Sequence, residues 1–196
     1  AFDSDERLAA LFNAPLRLIK RAQKELADGR VPLVQVQCAI AIDLLLVAPL
    51  RPQNLARLNL ARHIDEPNGP SGGMRLLIPA GETKARKRDL IFEVPEDVAQ
   101  RIRWYRKQVL ARINPSPSSD LFVTLSGSLK HQKTISQQLT LALKDCVGVD
   151  MTPHQFRHLA AKLYLDEHPE GIETVRALLG HSFAKTTQIY AGTGEL

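Results

Sequence analysis

Apolar residues recur along most of this 196-residue chain at the three- and four-residue spacing of helices, and only its middle breaks into short alternating stretches. Leu8, Leu11 and Phe12 predict a first amphipathic turn, with Ser4 or Asp5 as its N-cap. Pro15, suited to the first position of a helix, is expected to open a second helix that reaches Asp28 and is closed by Gly29. A third, from Leu33 to Val47, is apolar nearly all round and should lie at the centre of the fold. Pro49 ends it and Pro52 opens a short helix carrying Asn54, Leu55 and Leu58. Arg51 therefore sits at a corner between helices, framed by Pro49-Leu50-Arg51-Pro52.

A small β region follows. Pro67 to Gly73 reads as a turn, Met74 to Pro79 and Asp89 to Val94 as two strands, and Gly81 to Arg88 as the basic tip that joins them. Pro95-Glu96-Asp97 opens a long helix to Ile113, with acids in the first turn where the helix dipole favours them. Asn114 to Ser119 is a Pro/Ser loop and Leu121 to Val123 a short extended piece; helices are expected over 132–147, 153–166, 170–179 and 184–191. The fold class is α+β and mainly α, a helical domain with a small antiparallel hairpin. No internal repeat or low-complexity linker divides it, so residues 1–196 are expected to form one domain.

A hydrophobic fraction of 44% suits a packed core. The longest apolar run, Cys38 to Leu50, is interrupted by Asp43 and ends at Pro49, too short to span a bilayer, so no membrane partner is expected. The chain begins with acidic Ala-Phe-Asp-Ser-Asp-Glu, unlike a secretory leader, and its missing initiator Met points to an excised or processed chain. Cys38 and Cys146 lie in apolar helical stretches without the paired spacing of a metal site. They are expected to be buried thiols in a reducing cytoplasm.

The balance of 26 Lys+Arg against 21 Asp+Glu gives a net charge of +5, a weak pointer to a polyanionic partner. Its distribution says more. Lys84, Arg86, Lys87 and Arg88 form one basic group; Arg101, Arg103, Arg106 and Lys107 form a second; Lys130, His131 and Lys133 form a third. These either line a groove for phosphates or are three unrelated solvated faces.

The densest chemical signal is Thr152-Pro153-His154-Gln155-Phe156-Arg157-His158. With Pro153 as a helix start, His154 and Arg157 fall three apart on one face. A guanidinium grips phosphate oxygens two at a time, and an imidazole beside it moves a proton at the same centre. His154 and His158 are also spaced as a zinc pair, but the metalloprotease pattern needs Glu after the first His, where this chain has Gln155. His158 is better placed to pack or hydrogen-bond in support, and no metal or other cofactor is expected. A second signal is Leu179-Gly180-His181, followed by Thr186-Thr187-Gln188-Ile189-Tyr190.

His154-x-x-Arg157-His158, Leu179-Gly180-His181 and Thr186-Thr187-x-x-Tyr190, in that order and at those gaps, resemble the C-terminal signature of tyrosine recombinases of the phage-integrase family. Leu50-Arg51, running on into Asn54-Leu55-Ala56-Arg57-Leu58, resembles the family's first arginine motif. Thr83-Lys84 ahead of a basic hairpin resembles its lysine segment, and Leu121-Phe122 a further family pair. The resemblance covers nearly the whole chain.

It implies the DNA breaking-rejoining catalytic fold, and site-specific recombination or integration through a 3′-phosphotyrosyl intermediate with no metal supplied. Arg51 and Arg157 would clamp the scissile phosphate, and Lys84 would protonate the departing 5′ oxygen, with Lys87 the alternative for that role. His154 would assist proton transfer, His181 would hydrogen-bond a non-bridging oxygen, and Tyr190 would attack the phosphorus. His158 and Asn54 would support these groups, and Arg86, Lys87 and Arg88 would contact the DNA backbone. The resemblance also implies double-stranded DNA as partner, a cytoplasmic, DNA-associated location, and a homotetramer on paired sites, with a monomer for an isolated fragment. It further implies that the family's N-terminal core-binding domain is missing from this stretch.

Three positions depart from the family pattern: Pro49 where glycine is usual, Asn54 where an acid is common, and only Ala191 to Leu196 beyond Tyr190. Two other readings compete. A type IB topoisomerase uses a similar set of groups, and a DNA-binding accessory protein would retain the fold without cleavage.

Overall fold

Pro15 does not open a helix. In the computed structural model, which describes residues 5–69, 72–83, 88–113 and 119–179, α1 runs unbroken from Asp5 to Ala27 with Pro15 inside it. A proline in a helix interior costs about 3 kcal/mol. Continuity keeps Leu11 and Ala14 in register with Leu18, Ile19 and Ala22, all buried, and burying one leucine alone returns roughly 1.5–3 kcal/mol. Polar side chains serve carbonyls just upstream of the proline: Asn13 Nδ2 donates to Ala9 O at 2.8 Å and Arg17 Nη2 to Ala10 O at 3.1 Å. Gly29, at φ 80°, closes the helix as expected.

Helix α2 (Leu33–Val47) has the expected bounds and the expected place: Val36 through Leu45 are all buried. α1, α7 (Gln132–Val147) and α8 (Pro153–Glu167) pack around it. Short α3 (Pro52–Ala56) follows the corner at Arg51. Two further pieces were not anticipated: α4 (Leu60–His63), capped by Asn59, and β1 (Ile64–Asp65). β1 joins β2 (Met74–Ile78) and β3 (Leu90–Val94) in an antiparallel sheet of order β1-β2-β3. The β2–β3 register runs from Met74 opposite Val94 to Ile78 opposite Leu90. Alternation puts Met74, Leu76, Ile78, Leu90, Phe92 and Val94 in the core.

The helix from Glu96 is α5 (Glu96–Tyr105), a wider π-helical stretch over Arg106–Leu110, and α6 (Ala111–Ile113). The extended piece at Leu121–Val123 folds back through an antiparallel bridge from Val123 to Leu129. Its backing is polar and buried. Gln37 on α2 donates to Tyr105 Oη at 2.8 Å and to Val123 O at 2.9 Å, while Lys130 donates to the Gln37 amide oxygen. Gly148, at φ 71°, ends α7. A 3₁₀ turn at Pro169–Gly171 leads into α9 (Ile172–Leu179).

Cys38 and Cys146 are both free and buried, as expected, and burial raises the Cys38 thiol to about 12, which makes it unreactive. Among the described residues no helix is long and apolar enough to cross a membrane.

Candidate active site

Local chemistry at Thr152 decides where the densest motif begins its helix. Thr152 Oγ1 accepts from the Gln155 amide at 3.3 Å, and Gln155 Oε1 accepts from the Thr152 amide at 2.9 Å, a reciprocal capping box. Gln155, where a metalloprotease would need glutamate, is thus occupied in starting α8. With the first turn fixed, Phe156 and Arg157 turn inward and His154 faces solvent.

Arg157 is 3% exposed, and its Nε donates to the Pro49 carbonyl at 3.1 Å. Pro49 stands two residues before Arg51, and two residues of chain span at most about 7 Å. The two arginines, far apart in sequence, therefore meet at one corner. Burial, and then the neighbouring charge of Arg51, lower the Arg157 guanidinium to about 10, which leaves it cationic at neutral pH. Bringing like charges together at a buried corner opposes folding. Arg51 itself is held at the N-cap of α3, with extended backbone at φ −67° and ψ 146°.

From this corner opens a cavity of about 1210 Å³ whose lining includes Arg51, Arg57, Arg62, Asn54 and Glu82. Asn54 Nδ2 donates to the Glu82 carbonyl at 3.0 Å, so the residue standing where the family has an acid acts as a donor to backbone. Arg57 and Arg62 were not singled out from the sequence. They fall between the basic groups that charge density marks, and only the turn from α3 into α4 brings them to this wall.

His154 Nε2 and His158 Nε2 lie 3.2 Å apart, their rings nearly perpendicular at 83°. His158 thus contacts His154, one turn away. Burial first, then the charges of His154 and Arg157, lower His158 to about 4, below the ordinary histidine value. Between those values the folded chain binds fewer protons than the unfolded one. This contribution to stability is therefore present above about pH 6.5 and is lost as pH falls towards 4. The thermal midpoint is expected to fall between pH 7 and pH 5, and His158→Asn should flatten that decline in a pair of melting series. An equal decline in both proteins would remove His158 as its source. Among the described residues, no group of three or more His, Cys, Asp or Glu is placed to hold a metal ion.

The arginines of the second basic group, and Lys130 of the third, are engaged elsewhere. Arg101 bonds Asp43 and Asp97, Arg103 bonds Glu66 and Glu96, and Arg106 bonds Glu66. Lys130 is 4% exposed and also donates to Gln138 Oε1 at 3.0 Å. Neither group lines the cavity at Arg51. Of the hairpin group, Arg88 is exposed, whereas Lys84, Arg86 and Lys87 lie outside the described residues, as do His181, Tyr190 and the helix expected over 184–191.

Comparison with known proteins adds relatives. The family described as "Phage integrase family" matches residues 18–194. Tyrosine recombinase XerC of Pseudomonas fluorescens (strain Pf-5) is 33% identical over 137 residues, which is 70% of this chain and 40% of that protein. Tyrosine recombinase XerA of Thermococcus kodakarensis is 30% identical over 106 residues, 53% of this chain and 35% of that protein. The chain thus spans about two fifths or less of the length of these relatives. Among solved structures, XerA recombinase superposes with a TM-score of 0.65 at 19% identity, covering 100% of this chain and 61% of that one. XerH site-specific recombinase bound to its difH substrate, in a pre-cleavage complex, superposes with a TM-score of 0.66 at 18% identity, over 96% of this chain and 49% of that one. At such identities the likeness is one of fold.

Proposed function

The chain belongs to the phage integrase family, and from that membership we propose that residues 1–196 form the catalytic domain of a site-specific recombinase, which cuts and rejoins double-stranded DNA through a covalent bond to Tyr190. The observation that carries this reading is the meeting of Arg157 with the Pro49–Arg51 corner. A phosphodiester gains negative charge on its equatorial oxygens as a nucleophile arrives, and cations already fixed in place stabilise that state more than the ground state. Tyr190 Oη attacks the phosphorus, the bond to the 5′ oxygen breaks, and Lys84 gives that oxygen its proton, leaving a 3′-phosphotyrosyl link and a free 5′-hydroxyl. His154, backed by His158, takes the phenol's proton, and His181 holds a non-bridging oxygen. Because the phosphoester bond is kept rather than hydrolysed, the reverse attack rejoins the strand. Phosphate contacts by Arg57 and Arg88 give the domain weak, salt-sensitive affinity for duplex DNA. Full recombination on paired sites takes four copies; a single domain suffices for the first cut.

A nicked duplex whose cleavage releases a short fragment, so that rejoining cannot follow, tests the reading. Incubation of the chain with saturating amounts of this DNA is expected to yield a protein–DNA adduct, with the nucleotide mapped to Tyr190 by peptide mass spectrometry. No adduct under saturation sinks the enzyme reading in favour of a DNA-binding accessory role. Efficient relaxation of supercoiled plasmid lacking paired sites would favour a topoisomerase instead.

A further inference from the structure

Glu82 stands two residues ahead of Lys84 and is held from three directions. Its carboxylate receives Arg62 Nη2 on Oε1 at 2.7 Å and His63 Nε2 on Oε2 at 3.0 Å, and its backbone carbonyl receives Asn54 Nδ2 at 3.0 Å. His63 is 2% exposed, and its Nδ1 accepts from the Asn59 amide at 2.9 Å. That bond leaves no proton on Nδ1, so His63 presents Nε2–H to Glu82. Asn59 in turn caps α4, accepting from the amides of Ala61 and Arg62 through Oδ1, and its Nδ2 donates to Asp120 Oδ1 at 3.3 Å.

The placement of these groups is unusual for a surface ion pair. A lone arginine–carboxylate contact at an exposed site contributes little. Here the carboxylate is only 25% exposed, and one of its donors is buried. It lies in the cavity that Arg51 also lines. Asn54 is on the turn of helix that Arg51 caps, so one side chain ties the arginine corner to the segment that leads into the lysine. Glu82 precedes Lys84 by two residues in the chain, so the clamp sits where the lysine segment begins.

We propose that Glu82, gripped by Arg62, His63 and Asn54, is a positioning residue that sets the lysine segment relative to the arginine corner, and so acts on protonation of the leaving 5′ oxygen. The proposal rests on the reading of Lys84 as the acid for that oxygen. A general acid contributes about 10²–10⁴-fold, and misplacement of a reacting group by 1 Å costs about 10²-fold. Loosening the clamp should therefore slow cleavage about 10- to 100-fold through this one step.

Replacing the scissile 5′ oxygen with sulfur separates the possibilities, because a thiolate, with a thiol pKa of about 8.5, leaves without being protonated. Glu82→Gln and Asn54→Ala are to be compared with Lys84→Ala and Arg51→Ala in single-turnover cleavage of the ordinary and the 5′-bridging sulfur substrates, at saturating DNA. The expected result is that Glu82→Gln, Asn54→Ala and Lys84→Ala are all slow on the oxygen substrate and all restored to near the unmodified chain's rate on sulfur, while Arg51→Ala is slow on both. If Lys84→Ala is restored but Glu82→Gln and Asn54→Ala stay slow on sulfur, or are fast on both substrates, the clamp is not positioning the acid and the proposal is overturned. If Lys84→Ala itself is not restored, the assignment of the acid fails, and the proposal falls with it.

Discussion

Arg157→Lys is expected to slow single-turnover strand cleavage about 10²–10³-fold, equivalent to roughly 3–4 kcal/mol of lost transition-state stabilisation. The charge survives this change, so a loss of that size would have to come from geometry. Arg157 Nε is committed to the Pro49 carbonyl, which sets the plane of the guanidinium. A lysine carries one compact ammonium at the end of a flexible stem and cannot hold that carbonyl and a phosphate at once. Affinity for DNA should change little, since one phosphate among many contributes only part of the electrostatic attraction. Quench-flow rates alongside titrations by fluorescence anisotropy read both quantities. Rates within threefold of the unmodified chain, in a protein that melts normally, would mean that the Arg157–Pro49 arrangement does not serve the chemistry.

The second large effect concerns stability. Arg101→Met is expected to lower unfolding free energy by about 3–5 kcal/mol. Asp43 is 3% exposed within α2, and Arg101 on α5 meets it with two hydrogen bonds, at 2.7 and 2.9 Å. Removing the guanidinium leaves a carboxylate buried without its counter-charge. The exposed partner, Asp97, contributes at most about 1 kcal/mol of this. Burial already raises the Asp43 carboxyl to about 6 against the pull of Arg101. Without Arg101 the folded value moves further up, so the folded variant holds an extra proton over a wider range of pH. Its stability should fall more steeply than that of the parent as pH rises from 5 to 8. Replacing both partners, Asp43→Leu with Arg101→Met, should restore most of the loss. Urea unfolding at the two pH values checks each point, and equal losses in the single and double variants would contradict the account.

Much of this architecture could be read before any coordinates, and the reasons differ by element. α2 and α7 announce themselves by long apolar periodicity and by definite stops, Pro49 beyond one and Gly148 after the other. α8 is legible because Pro153 marks its first turn, and the capping pair at Thr152 and Gln155, which a closer reading of the threonine–x–x–glutamine spacing would have found, reinforces it. Arg51 and Arg157 were legible as chemistry, but that Arg157 is buried against the carbonyl of Pro49 was not. The break expected at Pro15 is a case of local preference losing to burial of a continuous face. The pieces at Leu60–His63 and Ile64–Asp65 are too short to carry a period, and exist because β2 and the Asn59 cap receive them. Charge left two readings open for a simple reason. Arg101 neutralises an acid 58 residues earlier in the chain, and no count along the sequence reveals which cations are already spoken for.

Helix α2 is pinned at three stations: Gln37 near its start, Asp43 towards its end, and the Pro49 carbonyl just past it. A rod clamped at bow, midship and stern cannot creep along its own axis, since a shift of one turn would break every fastening together. Any rearrangement of the fold must therefore be carried out by the outlying parts, about a keel that stays still.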